Sequence, residues 1–188
     1  TDIEALARVR EAVGPDMAIM VDVNHGWRMP WDTHPGPSLE QIMALEERTR
    51  EHDLFWLEEP LHRGDYVGMK ALRETARCRI AGGEITREMH EWDQIMRDDC
   101  LDVYQPDVVF VGGLKQLLKL GLQAFEMGRW FTPHTWGNGL GIIVNAELDR
   151  KLEEDIRLRA AGMPALPGGF LSGGGRGGRA GGGLSGIV

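Results

Sequence analysis

Three short apolar runs, each closed by an acid, decide the fold: Met17-Ala-Ile-Met-Val-Asp22, Phe55-Trp-Leu-Glu58-Glu59-Pro60 and Ile80-Ala-Gly-Gly-Glu84. Each reads as a β-strand, and a helical pattern follows each one. The first, near Met17 to Val23, is almost continuously apolar, as a strand buried on both faces is. Acids at successive strand ends converge on one rim of a (β/α) barrel. Three converging carboxylates repel one another unless a cation sits among them. Hard oxygen ligands favour Mg²⁺ or Mn²⁺, so the pattern points to a metal-assisted enzyme rather than a binding module.

The flanking segments alternate in the same way. Ile3, Leu6, Val9 and Val13 share a helical face that Gly14-Pro15 ends. Residues 25–37 read as a loop rich in Pro, Trp and His. Ser38 with Gln41 then forms a capping-box pattern before a helix carrying Leu39, Ile42, Met43 and Leu45. Leu54 to Leu57 is a strand, and Asp65 is placed to cap the helix bearing Met69 and Leu72. Arg79 to Gly83 is a strand, and Thr86 is placed to cap the helix bearing Met89, Trp92, Ile95 and Met96. Val103 to Val109 contains a strand that Pro106 ends, because proline cannot donate to a ladder. Leu114, Leu117, Leu118, Leu122 and Phe125 form the clearest apolar stripe. Trp130 to Pro133 is a last short strand ending near His134. A doubly wound sheet alternates too, but acids at regular strand ends favour the barrel.

A full (β/α)₈ barrel takes about 250 residues, so these 188 residues read as a piece of one. The net charge of −8 argues against a nucleic-acid surface. Cys78 and Cys100 lack a CxxC pattern and read as reduced, packed thiols of a cytoplasmic protein. No long apolar stretch suggests a membrane partner. From Gly168 onward about half the residues are Gly, a composition that buries too little apolar area to offset ordering entropy. The expected organisation is therefore a barrel domain over 1–163 and a disordered Gly/Arg-rich tail over 164–188. An RNA-binding Arg-Gly segment is a weak reading of that tail, since only two Arg are present.

Val-Asp22-Val-Asn24, Trp-Leu-Glu58-Glu59-Pro60, Gly83-Glu84, Gln-Pro-Asp107 and Pro-His134-Thr-Trp-Gly-Asn occur in that order. Together they resemble the mandelate racemase subgroup of the enolase superfamily, over roughly residues 1 to 145. The resemblance implies a partial TIM-like (β/α)₇β barrel, about strands 3 to 7 of the whole. It implies Asp22, Glu58 and Glu84 as ligands of one divalent ion, Mg²⁺ with Mn²⁺ as an alternative. It implies His134 as a base oriented by Asp107, and Asn24 as a pocket residue near the metal. A Lys or His base beside Mg²⁺ is this family's known chemistry, not a deduction from these residues. His25 and Trp27, in the loop after the first ligand, are expected substrate contacts. His34 and His52 are given no catalytic role.

The chemistry has its own logic. A proton beside a carboxylate is weakly acidic, and removing it places charge on the carboxylate oxygens. A cation on those oxygens stabilises that charge, and a base must lie within about 3 Å of the proton. Histidine titrates near neutrality, and an aspartate partner fixes its tautomer. The resemblance implies an acid-sugar dehydratase, with a racemase, epimerase or cycloisomerase as the alternative, and a homo-oligomeric parent acting on a small carboxylate, without nucleic acid or membrane. It also implies a Lys-x-Lys pair and a capping domain that lie outside these residues. An inactive barrel fragment, with unpaired edges that make it poorly stable, is the reading from another class.

Overall fold

The computed structural model describes residues 2–137 and 139–162. Five parallel strands alternate with helices: α1 (Asp2–Val13), β1 (Ile19–Asp22), α2 (Leu39–Thr49), β2 (Leu54–Glu58), α3 (Tyr66–Thr75), β3 (Arg79–Gly82), α4 (Met89–Arg97), β4 (Val103–Tyr104), α5 (Leu114–Glu126), β5 (Trp130–Phe131) and α6 (Gly139–Ala160). A 3₁₀ turn, Arg50–His52, joins α2 to β2. The expected disorder of the tail falls on residues 163–188, outside those described. The chain divides into two compact units. One holds the residues up to Gly83 with Gln94–Val103; the other holds Glu84–Asp93 and the residues from Tyr104 on.

In the first unit β1, β2 and β3 pair in parallel, and Asp22 stands opposite Glu58 in the ladder. Leu57, Ile80, Ala81 and Leu72 are fully buried and form its centre. The capping box of α2 is present, with the Ser38 hydroxyl accepting from Gln41 N and Gln41 Oε1 accepting from Ser38 N. Asp65 caps α3 by accepting from Gly68 N at 2.9 Å. Glu46 is buried, and its carboxylate accepts from Arg50 and from the Arg77 backbone N–H at 2.8 Å. Asp102 extends the pairing beyond β3: its N–H donates to Ile80 O at 2.8 Å, and its Oδ2 accepts from Ile80 N at 3.0 Å.

Three expectations need correction. β1 is not buried on both faces, since Met20 is 45% exposed and Asp22 is exposed. It is the terminal strand of the sheet order, with no described strand on its other side. Thr86 does not cap α4. The helix starts at Met89, after Glu88, whose N–H donates to Glu91 Oε2 at 3.3 Å. Thr86 is instead buried, and its carbonyl accepts from Trp92 Nε1. The strand expected within 103–109 is present as Val103–Tyr104 and stops before Pro106, as expected, with an isolated bridge beyond it at Asp107. The buried stripe of α5 runs Leu117, Leu120, Gly121, Leu122 and Ala124; Leu117 and Leu122 are buried as expected, while Phe125 is 40% exposed. The small residues let neighbours come close: a Cβ on Gly121 would lie 2.7 Å from a Leu152 methyl and 3.3 Å from the Phe131 ring.

In the second unit, Leu117, Leu120, Leu148, Leu152 and Ile156 pack α5 against α6 beside Phe131 of β5. The charged segment Glu147 to Arg159 continues α6, with Arg150 and Lys151 paired to Glu147 along its surface. Asp149 is half-buried on this helix, and its Oδ1 has no hydrogen-bond partner among the described residues. Among the described residues no helix is long and apolar enough to cross a membrane.

Two testable consequences arise from this packing. Asp102→Ala removes the acceptor of the buried Ile80 N–H, and denaturant unfolding should show a loss of about 1–3 kcal/mol. Asp149 has its pKa raised to about 6, first by desolvation and then by Glu153. An acid whose pKa is higher in the folded state than in the unfolded chain, ordinarily 3.8, costs stability as pH climbs from about 4 to about 6. Asp149→Asn should therefore melt at a higher temperature than wild type above pH 6, and the difference should vanish below pH 4.

Candidate active site

The parallel register carries the first two acids to one level. Asp22 ends β1 and Glu58 ends β2. Asn24 folds back on Asp22: its N–H donates to Oδ1 at 2.8 Å and its Nδ2 to Oδ2 at 2.7 Å. This return needs a left-handed backbone at Asn24, φ 56°, which asparagine tolerates better than most residues. Glu58 accepts from Trp56 Nε1 at 2.9 Å, since residues two apart on a strand share a face. His25 is exposed and Trp27 is half-buried. The His25 backbone N–H donates to Glu59 O at 2.8 Å.

The second unit gathers Glu84, Asp107 and His134. Asp107 is buried just beyond β4, and its isolated parallel bridge to His134 sets the two strand ends side by side. The His134 N–H donates to Pro106 O at 3.1 Å. The Asp107 carboxylate is divided between two tasks. Oδ1 accepts from Val109 N at 2.8 Å, making the turn into the next loop, and Oδ2 lies 2.9 Å from His134 Nδ1. The turn role and the histidine contact thus coexist. His134 Nε2 lies 2.9 Å from Glu84 Oε2.

A doubly protonated ring donates to both carboxylates, so this arrangement favours the imidazolium. The His134 pKa is raised to about 9, first by the hydrogen bond with Glu84, against partial desolvation, and further by Asp107. Asn145 of α6, buried, braces the same loop: its Nδ2 donates to His134 O at 2.9 Å and also to the Thr135 hydroxyl.

Each expected ligand is thus engaged by a neighbour: Asp22 by Asn24, Glu58 by Trp56, Glu84 by His134. Among the described residues no group of three or more His, Cys, Asp and Glu side chains is arranged to hold a metal ion. The donor set nevertheless fits a hard divalent cation in kind, because carboxylate oxygens are the ligands Mg²⁺ and Mn²⁺ take. Three contributors escaped the sequence reading. Asn145 left a signal, a lone amide after Ile142-Ile143-Val144; Trp56 left one in its two-residue spacing from Glu58. Glu59 left none beyond its place beside Glu58.

A sequence profile described as "Enolase C-terminal domain-like" matches residues 1–163. The chain belongs to this enolase-superfamily family. Its relatives include the D-galactarolactone cycloisomerase of Agrobacterium fabrum, 30% identical over 75% of this chain and 35% of that protein. The arabinonate dehydratase of Saccharolobus solfataricus is 32% identical over 77% of this chain and 36% of its own length. Among solved structures, the 3,6-anhydro-D-galactonate cycloisomerase of Zobellia galactanivorans superposes with a TM-score of 0.69 at 31% identity, covering 78% of this chain and 39% of that one. An L-talarate/galactarate dehydratase variant, solved with Mg and L-glucarate, superposes at 0.66 and 29% identity, over 78% of this chain and 34% of its own. The chain therefore spans about a third of the curated relatives it matches and carries only part of the enolase-superfamily barrel.

Asn145→Ala should leave helix content intact while the His134 ring resonances broaden or shift in NMR spectra. Unchanged His134 signals would remove Asn145 from the bracing role.

Proposed function

We propose that this chain carries the proton-transfer half of a Mg²⁺-dependent acid-sugar dehydratase site. The observation that carries the reading is His134 held at 2.9 Å by Asp107 on Nδ1, with Nε2 at 2.9 Å from Glu84, an expected metal ligand. Asp22, Glu58 and Glu84 are the residues that would hold the cation. When bound, the cation supplies Lewis-acid stabilisation of charge on the substrate carboxylate.

Asp107 keeps the Nδ1 proton in place, so that Nε2 is the atom that exchanges protons. To act as base, Nε2 must be released from Glu84 and be neutral. It then takes the proton α to the substrate carboxylate. The C–H electron pair moves toward the carboxylate and gives an enediolate. The imidazolium returns its proton to the departing β-hydroxyl, which leaves as water. The enol product ketonises to a 2-keto-3-deoxy acid, so one water is lost and no redox partner is needed. His25, Trp27 and Asn24, in the loop after β1, are the substrate contacts of this reading.

The likeness to the D-galactarolactone and 3,6-anhydro-D-galactonate cycloisomerases supports a second reading, in which the same proton abstraction leads to isomerisation without loss of water. Incubating the chain and its longer parent with Mg²⁺ and a panel of sugar acids and lactones separates the two. Keto-acid formation, falling about 10²–10⁴-fold in His134→Asn, is the expected result. Lactone isomerisation with the same His134 dependence would select the second reading. Turnover unchanged in His134→Asn would sink both, and no turnover in either protein would leave the chain an inactive barrel piece.

A further inference from the structure

We propose that Glu59 is a positioning residue that ties together the three strand ends from which Asp22, Glu58 and Glu84 emerge. The proposal rests on the reading of those three acids as the metal-bearing set. Glu59 is only 2% exposed, and a buried carboxylate is costly unless it is put to use. Its backbone adopts φ 45°, a left-handed conformation that a glutamate seldom takes and that marks a position held by its surroundings.

Its contacts reach every neighbouring strand end of the first unit. Glu59 N–H donates to Ala81 O of β3 at 3.0 Å, and Glu59 O accepts from His25 N, beyond β1, at 2.8 Å. Oε1 accepts from the N–H of Gly83, the residue before Glu84. The neighbours are shaped around this carboxylate. A Cβ on Gly82 would lie 2.8 Å from Oε1, and one on Gly26 would fall on the Oε2 side of the group. Gly26 is not among the residues with positive φ, so space rather than backbone conformation requires glycine there. The loop of Gly26 is drawn to the loop after β2 as well, since Gly26 O accepts from Arg63 N at 2.9 Å.

One side chain thus fixes the residue that precedes Glu84, while its own backbone fixes Glu58 on one side and the loop after Asp22 on the other. Glu59 donates no proton and touches no substrate in this scheme. It sets where three other carboxylates begin.

The test compares wild type, Glu59→Ala, Glu59→Gln and Gly26→Ala in the full 188-residue chain. Residue-resolved amide exchange reads the Gly83 and His25 N–H groups against the β2–β3 ladder, and Mn²⁺ titration reads the metal-bearing ends. Glu59→Ala and Gly26→Ala, the second of which evicts the carboxylate without removing it, should speed Gly83 exchange by about tenfold to hundredfold while the ladder stays protected. Both should weaken Mn²⁺ binding at least about tenfold. Glu59→Gln, which keeps the acceptor and the shape, should restore both. Gly83 protection unchanged in Glu59→Ala and Gly26→Ala overturns the proposal. So does a loss spread evenly over Gly83 and the whole ladder, which is what a merely structural core residue gives. If Glu59→Ala does not fold, Gly26→Ala and Glu59→Gln decide. A wild-type chain that binds no Mn²⁺ refutes the metal reading alone, and the Gly83 exchange still decides the role of Glu59.

Discussion

Parallel pairing of short, largely buried strands is the constraint on which everything else in this chain depends. A strand such as β3, whose Ile80, Ala81 and Gly82 are all buried, has no room for a charge at those three positions. Polar chemistry is pushed to the carboxyl ends, where the ladder stops and loops begin. Because the strands are parallel and in register, those ends come to one level, as Asp22 and Glu58 do. The site is a consequence of where a buried sheet can tolerate acids.

Gathering acids at one level creates a problem of like charge, and the structure meets it locally. Asn24 donates twice to Asp22, Trp56 donates to Glu58, and His134 faces both Glu84 and Asp107. The last arrangement joins two roles in one group. In the proposed reading Glu84 Oε2 would serve either His134 or a cation, so release of His134 as a base would be coupled to whatever draws that carboxylate away. In the second unit two carboxylates orient the His134 ring, and Asn145 holds the backbone of its loop.

Membership of the enolase-superfamily family explains why the motifs occur in this order, and it bounds the chemistry they imply. Relatives at about 30% identity include dehydratases and cycloisomerases, so family membership alone does not choose between these activities. Only part of the enolase-superfamily barrel is present in these residues, which span about a third of the relatives' length.

The alternation of strands and helices, the capping box at Ser38, the cap at Asp65 and the placement of each acid just at or past a strand end were legible from the order of residues, because periodicity and capping are local and depend on neighbours a few positions away. Local rules failed where the neighbours are distant. Met20 of β1 is exposed despite an apolar run; Trp92 takes the Thr86 carbonyl, and the helix waits until Met89. The buried stripe of α5 keeps Leu117 and Leu122 but takes in Gly121, on which Leu152 and Phe131 close. The sequence by itself determined which acids stand at the strand ends, because strand periodicity is local. Only the tertiary structure decided that His134 is shared between Glu84 and Asp107, that Asn145 steadies it, and that Glu59 reaches Gly83, because hydrogen bonds between residues tens of positions apart depend on side-chain direction and burial that no local pattern encodes.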